Sequence, residues 1–547
     1  MPTGESSASD SAIASAYLDT FVNENLPPAN LQPEFTYELL SLKYPLSLNC
    51  GVELLDKMVE KGFGEHRCLR DGAGTEWTYS EVLDRANRIA NVLKDTYSLV
   101  AGNRVLLRGP NNPWLAVCWL AVQKAGLVAV ATMPMLRANE LSVVIEKAKI
   151  NLSLCDTRFT DELASVATHP IVDFGQGSLL EKAMNSVSNV FTNCQTMSSD
   201  IALIAFTSGT TGQPKGCMHQ HRDVLAIADT FSNQMINPTS DDLFSGSPPL
   251  AFTFGLGALL VFPLRVGACA LLLEAASPPI LLEAITKHRV TIVATAPTAY
   301  RAMLETISSA DISSLRVCVS AGEPLALDTR IRFEKLTGIK LIDGLGATEM
   351  LHVFISATGD GIRPGAIGKP VNGFTVTILD DNYNEVAPGV VGHLAVKGPT
   401  GCRYLNDDRQ KNYVRNGWNL PGDAMYRDED NYFWYQARAD DMIISSGYNI
   451  AGPEVEAAVL THTSIRECAC VGVSDIERGM VVKAFIVLKD SYTPSDELAK
   501  EIQDHVKATI APYKYPRLIE FRNELPKTAT GKMQRYRLRS EVADDER

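Results

Sequence analysis

Several features that mark whole classes of protein are missing from this sequence. None of its eleven cysteines forms a C-x-x-C pair, which argues against a structural zinc site and against a disulfide framework. Positive charge is also in short supply, because 51 lysine and arginine residues stand against 64 aspartate and glutamate residues, for a formal net charge of −13. That balance argues against nucleic acid as a general partner.

Long uninterrupted apolar runs are absent as well. Residues 115–136 are broken by Lys124, and residues 254–273 are broken by Arg265. Breaks of this kind are typical of buried helix–strand pairs and not of membrane spans. The first ten residues are polar and acidic, with no basic stretch ahead of an apolar core, so no secretory signal is predicted. We therefore predict a cytoplasmic protein that binds neither a membrane nor nucleic acid.

The sequence does contain a regular alternation of short apolar runs and helical patterns, which predicts βαβ units and largely parallel sheets with covered faces. The predicted strands are residues 104–108, 127–132, 152–155, 201–206, 268–273, 291–295 and 316–320. The predicted helices are residues 80–97, 112–125, 139–148, 279–288 and 299–308.

The pattern changes twice toward the C-terminus. Short strands that read as antiparallel follow residue 372, and a charged break at 437–442 precedes a separate α/β pattern of about a hundred residues. We predict a segment, 1–50, that wraps the surface, and a large α/β domain, 51–439. A small α+β domain, 440–547, should follow it.

One segment concentrates hydroxyl residues, glycines and a lysine: Thr207-Ser208-Gly209-Thr210-Thr211-Gly212-Gln213-Pro214-Lys215-Gly216. Glycine lets backbone N–H groups approach an anion, hydroxyls add donors and lysine adds a point charge, so the segment is predicted to bind a polyphosphate. It is not a Walker A motif, because Gly216 and not a hydroxyl residue follows Lys215. The alternative interpretation is a surface linker rich in serine, threonine and glycine.

Other chemically capable positions follow in order along the chain. Small residues against which a flat ligand can lie follow two predicted strands, 316–320 and 339–342. They are Ser320-Ala321-Gly322-Glu323 and Asp343-Gly344-Leu345-Gly346-Ala347-Thr348-Glu349. Asp423 offers a carboxylate for two ribose hydroxyls, and Arg438 offers a further donor. Lys532 lies on a Gly/Thr turn in a basic tail. Each alone also fits a structural turn or a surface charge, and it is their order that indicates one site.

Taken together, these motifs make the chain resemble the adenylate-forming superfamily of acyl-CoA synthetases, peptide-synthetase adenylation domains and luciferases, from about residue 50 to residue 540. Within that superfamily it is similar to the benzoate and 2-aminobenzoate (anthranilate) CoA ligases. This closer resemblance rests on Arg108-Gly-Pro-Asn-Asn-Pro113, Pro248-Pro-Leu-Ala-Phe-Thr-Phe-Gly255 and Thr348-Glu-Met-Leu-His352.

The resemblance implies two half-reactions with ATP, Mg²⁺ and CoA as cofactors. An aryl carboxylate, with 2-aminobenzoate as the best candidate, attacks the α-phosphorus of ATP to give aryl-AMP and pyrophosphate. The small domain then rotates, and the CoA thiol displaces AMP. Transfer to the pantetheine of a carrier protein stays open as an alternative, and so does a catalytically silent nucleotide-binding protein. The resemblance implies a large domain with two mainly parallel β-sheets flanked by helices plus a small β-barrel-like subdomain, followed by a small mobile α+β C-terminal domain. It leaves open a monomer or a homodimer.

The resemblance also assigns roles to individual residues. The nucleotide would be bound by Thr207, Ser208, Gly209, Thr210, Thr211, Gly212, Lys215, Ala321, Gly322, Glu323, Asp343, Gly344, Thr348, Asp423 and Arg438, with Mg²⁺ on Glu349. The carboxylate pocket would be lined by Thr253, Phe254, Gly346, Ala347, His352 and Val353. Lys532 would bridge the carboxylate and the α-phosphate, Asp440 would be the hinge, and Ser445, Ser446, Gly447 and Tyr448 would line the CoA tunnel.

Three positions depart from what many members of the superfamily have. Ala437 stands before the ribose arginine in place of glycine, Pro421 precedes Gly-Asp in place of threonine, and Ala347 replaces serine or threonine. None of these changes removes a catalytic group. Because Ala347 belongs to the predicted floor of the carboxylate pocket, the substrate is less firmly predicted than the reaction.

Overall fold

The computed structural model of the protein describes residues 15–207, 214–438, 441–445, 448–475, 478–510, 512–527 and 533–545. Four β-sheets organise this part of the chain. Within the same residues, no helix combines the length and the apolar character that crossing a bilayer requires.

The first sheet has six strands, of which five run parallel. In spatial order they are Ile171–Phe174, Leu152–Asp156, Arg104–Arg108, Val128–Thr132, Ile201–Thr207 and Lys215–Gln220. Only the last strand is antiparallel to its neighbour. Two of the inner strands are buried at every position, as expected of a parallel sheet covered on both faces.

The central sheet has nine strands, with six parallel strands in its middle and antiparallel strands at its two edges. In spatial order they are Lys369–Pro370, Val353–Ser356, Leu341–Gly346, Val317–Ala321, Ile292–Thr295, Leu243–Gly246, Cys269–Leu272, Arg67–Asp71 and Glu76–Thr78. The prediction of two mainly parallel sheets is therefore confirmed.

Two smaller sheets follow in the sequence. The antiparallel sheet contains Thr375–Leu379, Gly392–Lys397, Val414–Arg415, Trp418–Asn419, Asp423–Arg427 and Phe433–Arg438. The C-terminal sheet contains Met442–Ser445, Tyr448–Ala451, Ile465–Asp475, Gly479–Leu488 and Leu518–Phe521. A large α/β part, an antiparallel subdomain and a small α+β part thus appear in the predicted order, while the exact domain limits stay a prediction.

Helices connect these strands in the described part of the chain. They are Phe21–Glu24, Tyr79–Asn91, Pro113–Lys124, Ala138–Ala148, Thr160–Ala164, Leu179–Met184, His221–Ile227, Thr253–Leu256, Phe262–Arg265, Pro278–His288, Pro297–Met303, Leu327–Thr337, Gln410–Tyr413, Gly452–Leu460, Asp496–Thr509 and Arg535–Asp545. Wider π-type turns extend or flank them at Val52–Asp56, Val59–Phe63, Val92–Thr96, Ala228–Ile236 and Gly257–Val261.

Local sequence explains where several helices begin. Thr78 accepts a hydrogen bond from the backbone of Glu81, and the Glu81 carboxylate accepts one from the backbone of Thr78, so a reciprocal cap starts Tyr79–Asn91. Asn112 caps the next helix through the backbone N–H of Leu115.

The N-terminal segment crosses from the first sheet to the antiparallel sheet. The Tyr17 hydroxyl donates to the carbonyl of Ile201 at 2.8 Å, and the backbone N–H of Glu34 donates to the carbonyl of Gly417 at 2.8 Å. In each contact the two residues lie far apart in the sequence, so the N-terminal segment ties the two sheets together. The eleven cysteines are all free, and ten of them are buried.

Candidate active site

The predicted polyphosphate loop joins two antiparallel strands of the first sheet. Thr207 ends one strand, Lys215 begins the next, and the two residues are paired across the hairpin. The predicted loop residues between them lie outside the described residues: Ser208, Gly209, Thr210, Thr211 and Gly212. The described part of the hairpin therefore brings Thr207 next to Lys215 at the end of the sheet.

Lys215 and Glu349, which are 134 positions apart in the numbering, meet through one tyrosine. The Lys215 ammonium donates to the Tyr404 hydroxyl at 3.1 Å and lies 4.9 Å from the centre of its ring. The Tyr404 hydroxyl in turn donates to the Glu349 carboxylate. Glu349 is 9% exposed and Tyr404 is 1% exposed, so a cation and an anion are joined at the boundary of the interior.

The short turn that carries Glu349 is held by hydrogen bonds to its carbonyl groups. The His219 Nε2 donates to the carbonyl of Thr348 at 2.8 Å, and the Thr400 hydroxyl donates to the carbonyl of Met350 at 2.8 Å. Such contacts restrict the rotation of the turn, so the direction of the Glu349 side chain is set from both sides.

The two strand ends predicted to bind the nucleotide are neighbours in the central sheet. Ala321 pairs with Gly344 and Ser320 pairs with Asp343, because both strands run parallel and end at the same edge. Gly322 follows with a φ of +93°, a backbone conformation that glycine adopts without strain. The structure thus brings Ala321, Gly322 and Glu323 beside Asp343 and Gly344.

Asp343 is a buried carboxyl with an unusual charge state. Burial raises the pKa of Asp343 to about 7, although the guanidinium of Arg330, 3.5 Å away, opposes this shift. The group therefore changes its charge close to neutral pH, which few carboxyls do.

The two predicted ribose ligands lie on adjacent strands of the antiparallel sheet. Asp423 begins one strand, Arg438 ends the next, and the two are paired in register. Asp423 is only 7% exposed. This pairing keeps the two backbones at the fixed separation of neighbouring strands.

The predicted carboxylate pocket contains a histidine among aromatic rings. The ring of His352 lies 4.7 Å from that of Phe262, 5.3 Å from that of Phe231 and 5.6 Å from that of Phe254, measured between centroids. Burial lowers the pKa of His352 to about 3, although the backbone of Phe254 opposes this shift. Neither ring nitrogen has a hydrogen-bond partner within the described residues.

Backbone packing brings most of the other pocket residues together. Gly346 pairs with Val353, and a Cβ atom at Gly346 would lie 2.6 Å from the carbonyl oxygen of His352, so only glycine fits there. The methyl groups of Val353 pack against Gly344. Ala347 is half-buried beside Gly346, and Thr253 is buried at the start of the helix that carries Phe254.

The residues predicted to act through the C-terminal part are described only partly. Ser445 and Tyr448 are paired at the end of a hairpin in the C-terminal sheet. Four of the predicted residues lie outside the described residues: Asp440, Ser446, Gly447 and Lys532. Lys527 and Met533, which lie on either side of Lys532 in the sequence, form a bridge.

The donor atoms around Glu349 fit a magnesium ion that arrives with its nucleotide. No group of three or more metal-ligating side chains occurs in the part of the chain that the structure describes. Mg²⁺ is usually bound by one or two carboxylates together with substrate phosphates and water, and one buried carboxylate near a lysine predicted to bind phosphate would meet that requirement. When bound, the ion would neutralise charge on the phosphates.

Tyr404 is the residue that reasoning from the sequence missed. It lies 189 residues from Lys215 and 55 residues from Glu349. No sequence motif around it distinguishes it from an ordinary buried tyrosine. Only the pairing of its segment with the strand Lys215–Gln220 brings it to the site.

Comparison with known proteins identifies the family. The model of the AMP-binding enzyme family matches residues 57–404, and that of the AMP-binding enzyme C-terminal domain matches residues 454–532. The chain belongs to the AMP-binding enzyme family. Its relatives are named CoA ligases and acyl-CoA synthetases, and the chain is accordingly an AMP-forming acid–CoA ligase.

Three relatives cover most of the chain. It is 33% identical to a benzoate–CoA ligase of Thauera aromatica over 95% of this chain and 98% of that protein. It is 36% identical to the mitochondrial acyl-coenzyme A synthetase ACSM3 of Rattus norvegicus over 86% of this chain and 85% of that protein. The crystal structure of the anthranilate CoA ligase AuaEII in complex with anthranoyl-AMP is 32% identical, covers 92% of this chain and 99% of that one, and superposes with a TM-score of 0.87.

These similarities confirm the predicted superfamily and fold. ATP and CoA as substrates are consistent with the family. The roles of the individual site residues, the bound magnesium ion and the identity of the acid stay predictions.

Proposed function

We propose that the protein converts a benzoate-like carboxylate, with 2-aminobenzoate as the best candidate, into its acyl-adenylate and then into its CoA thioester. The observation that carries this proposal is the unpartnered, buried imidazole of His352 among three phenylalanine rings. Aromatic faces suit a planar ring, and an unsatisfied buried polar group is rare enough to need a partner.

The charge state of His352 favours an ortho substituent that can donate a hydrogen bond. Because the pKa of His352 is lowered to about 3, the ring is neutral at physiological pH and one of its nitrogens accepts. An amino or hydroxyl group on a benzoate ring can supply the missing donor. A ring without such a group leaves the nitrogen unsatisfied, at a cost of roughly 1–3 kcal/mol.

The remaining site residues fit the binding of Mg·ATP. Thr207 and Lys215 would bind the β- and γ-phosphates, Glu349 would bind the metal, and Asp423 with Arg438 would bind the ribose. Residues 440–547 would rotate about Asp440 after adenylation, which withdraws Lys532 and brings the segment from Ser445 to Tyr448 to the acyl group. That rotation is what allows one cleft to carry out two reactions.

Pyrophosphate release across a panel of acids tests this function. The panel contains benzoate, hydroxybenzoates, aminobenzoates and straight-chain fatty acids, and we expect the highest kcat/KM with an aromatic acid bearing an ortho donor. A preference for the fatty acids would contradict the proposal. Formation of aryl-CoA from free CoA supports it, whereas acylation of a holo-carrier protein without any aryl-CoA would favour the carrier-protein alternative.

Replacing His352 with leucine is expected to change substrate preference. The His352→Leu variant should lose roughly 3- to 10-fold in kcat/KM for 2-aminobenzoate and change little for benzoate, because a net hydrogen bond contributes about 0.5–1.5 kcal/mol. The ratio of the two kcat/KM values, measured by pyrophosphate release, reports the effect. His221→Leu is the matched control, because burial also lowers the pKa of His221 to about 3 but its ring contacts Cys50. An equal loss for both acids in His352→Leu would contradict the assignment.

Asp343 should make stability depend on pH in an identifiable way. Since its pKa in the folded protein is raised to about 7 from an ordinary 3.8, the unfolded chain loses this proton first, and stability falls as pH rises from about 4 to about 7. Asp343→Asn cannot ionise, so its Tm relative to the wild type should be higher at pH 8 than at pH 5, by roughly a few degrees.

Asp242→Asn provides the contrasting control. Although Asp242 is also buried, its hydrogen bonds with Arg316 hold the pKa of that carboxyl below its ordinary value. Its stabilising contribution is therefore present above about pH 4, and this variant should lose stability at pH 8. The measurement is the Tm of the wild type and of both variants at pH 5 and pH 8. If the Tm of both variants, relative to that of the wild type, shifted in the same direction at pH 8, the Asp343 prediction would be contradicted.

A further inference from the structure

Tyr404 occupies the space between the two charged residues predicted to act on the phosphates. Its hydroxyl accepts a hydrogen bond from Lys215 at 3.1 Å and donates one to Glu349. A hydroxyl has one hydrogen and two lone pairs, so it can make both contacts at once. The two charged groups therefore share one neutral neighbour.

The tyrosine ring is fixed on several sides. The backbone N–H of Tyr404 donates to the side chain of Gln410 at 2.8 Å, and the residue forms a bridge with Cys217 in the strand that begins at Lys215. Its ring packs edge-to-face against Tyr413 with centroids 5.8 Å apart. The side chain is 1% exposed, so its hydroxyl is held in one position relative to both charged groups.

The preceding residue anchors the opposite end of the same site. Arg403 is buried and donates to Asp223 at 2.8 Å, and Asp223 lies 3.9 Å from the ring of His219. His219 donates to the carbonyl of Thr348, the residue before Glu349. The segment of Arg403 and Tyr404 is therefore linked to the Glu349 turn by two routes. One is indirect, through Asp223 and His219 to the carbonyl of Thr348, and the other is the direct hydrogen bond from the Tyr404 hydroxyl to the Glu349 carboxylate.

Without the hydroxyl, the ammonium and the carboxylate would be free to pair directly. A direct Lys215–Glu349 ion pair would compete with the phosphates for the lysine and with the metal for the carboxylate. A tyrosine hydroxyl is protonated at neutral pH, so it stays a donor to the carboxylate.

We propose that Tyr404 is a positioning residue for the activation step, which holds Lys215 and Glu349 apart and oriented so that both contact Mg·ATP. This inference rests on the proposed function for the identity of the nucleotide. It does not depend on which acid is activated.

Binding of Mg²⁺ with α,β-methylene-ATP, measured by calorimetry, tests the role without turnover. Tyr404→Phe keeps the ring and removes only the hydroxyl. We expect roughly 10-fold weaker binding of the Mg·analogue, because both charged groups lose a fixed hydrogen-bond partner that water replaces only in part. Affinity for AMP, which lacks the β- and γ-phosphates, should change by less than about twofold.

Tyr413→Phe is the matched control. Tyr413 lies in the same cluster, and its hydroxyl has no hydrogen-bond partner among the described residues, so this variant should bind the analogue and AMP as the wild type does. A purely structural role of Tyr404 predicts instead equal losses for the analogue and for AMP, together with a lower Tm. That pattern, or wild-type binding of the Mg·analogue by Tyr404→Phe, would overturn the proposal.

A double-mutant cycle with Glu349→Gln keeps the test informative even if single variants lose stability. If Tyr404 acts through Glu349, the effect of Tyr404→Phe on Mg·analogue binding should shrink in the Glu349→Gln background. Additive effects would contradict the inference. Because these measurements use no carboxylic acid, they can succeed even if no aromatic acid is activated, so failure of the inference and failure of the proposed function are distinguishable.

Discussion

Lys532→Ala is expected to lower pyrophosphate release by at least about 100-fold while leaving thioester formation from supplied acyl-adenylate within about threefold of the wild type. The reason is that a lysine bridging the carboxylate and the α-phosphate stabilises charge that develops only in the first transition state. Removing one such group from an active site commonly costs about 10²–10³ in kcat. The second half-reaction has no phosphoryl charge of that kind, so it does not need the lysine.

The measurement is a pair of single-turnover assays, one from acid and ATP and one from the purified adenylate with CoA. Lys527→Ala is the matched control, because that lysine lies five residues before Lys532 in the sequence and pairs with Glu467 at 2.6 Å. It should leave both half-reactions near wild type. If Lys532→Ala slowed the two half-reactions equally, the residue would not act in one domain pose alone, and the rotation about Asp440 would lose its main support.

Local sequence patterns were sufficient for the elements on which the site is built. The parallel strands that end at Ala321 and Gly346 were predictable because buried runs between helical patterns leave few alternatives, and their carboxyl ends meet at one sheet edge. The helix predicted at 279–288 is observed at Pro278–His288, within one residue of the predicted limits. The strand that begins at Lys215 was not predicted, because its pattern of Gly-Cys-Met-His-Gln does not alternate as a half-exposed strand does.

Helix ends and long-range contacts could be predicted less well from the sequence. The helix predicted at 299–308 ends at Met303 instead, because the chain turns there and packs Ile307, 3% exposed, into the core. Such an end depends on tertiary packing and not on a stop signal in the sequence. The isolation of His352 likewise depends on Phe231 and Phe262, which reach it from helical segments about 90 to 120 residues earlier.

The roles of residues within one motif could therefore be predicted from the sequence, whereas contacts between residues of different motifs could not. The resemblance to a known family supplied Lys215 and Glu349 as separate residues with separate tasks. That one tyrosine hydroxyl contacts both is a property of the folded protein, since the pairing of residues 402–405 with the strand Lys215–Gln220 has no local signal.

Glu349→Gln is expected to reduce pyrophosphate release about 100-fold and to raise the Mg²⁺ concentration needed for half-maximal rate. Glutamine has the same shape, and its amide oxygen can still accept from Tyr404, so the change removes charge and little else. A bound metal that neutralises phosphate charge contributes several kcal/mol to the transition state, and about 2.7 kcal/mol corresponds to 100-fold. Mn²⁺ binding in the presence of α,β-methylene-ATP, followed by electron paramagnetic resonance, reports the metal directly and independently of turnover.

A matched variant separates this effect from the loss of any buried carboxylate. Asp156 is 3% exposed and pairs with Arg158 at 2.8 Å, outside the candidate site, so Asp156→Asn should lower stability without changing the Mg²⁺ dependence. Should Glu349→Gln keep the wild-type Mg²⁺ dependence while Tm falls as it does for Asp156→Asn, Glu349 would be a structural anchor for Tyr404. The metal would then have to be held by the nucleotide and by residues of the phosphate loop instead.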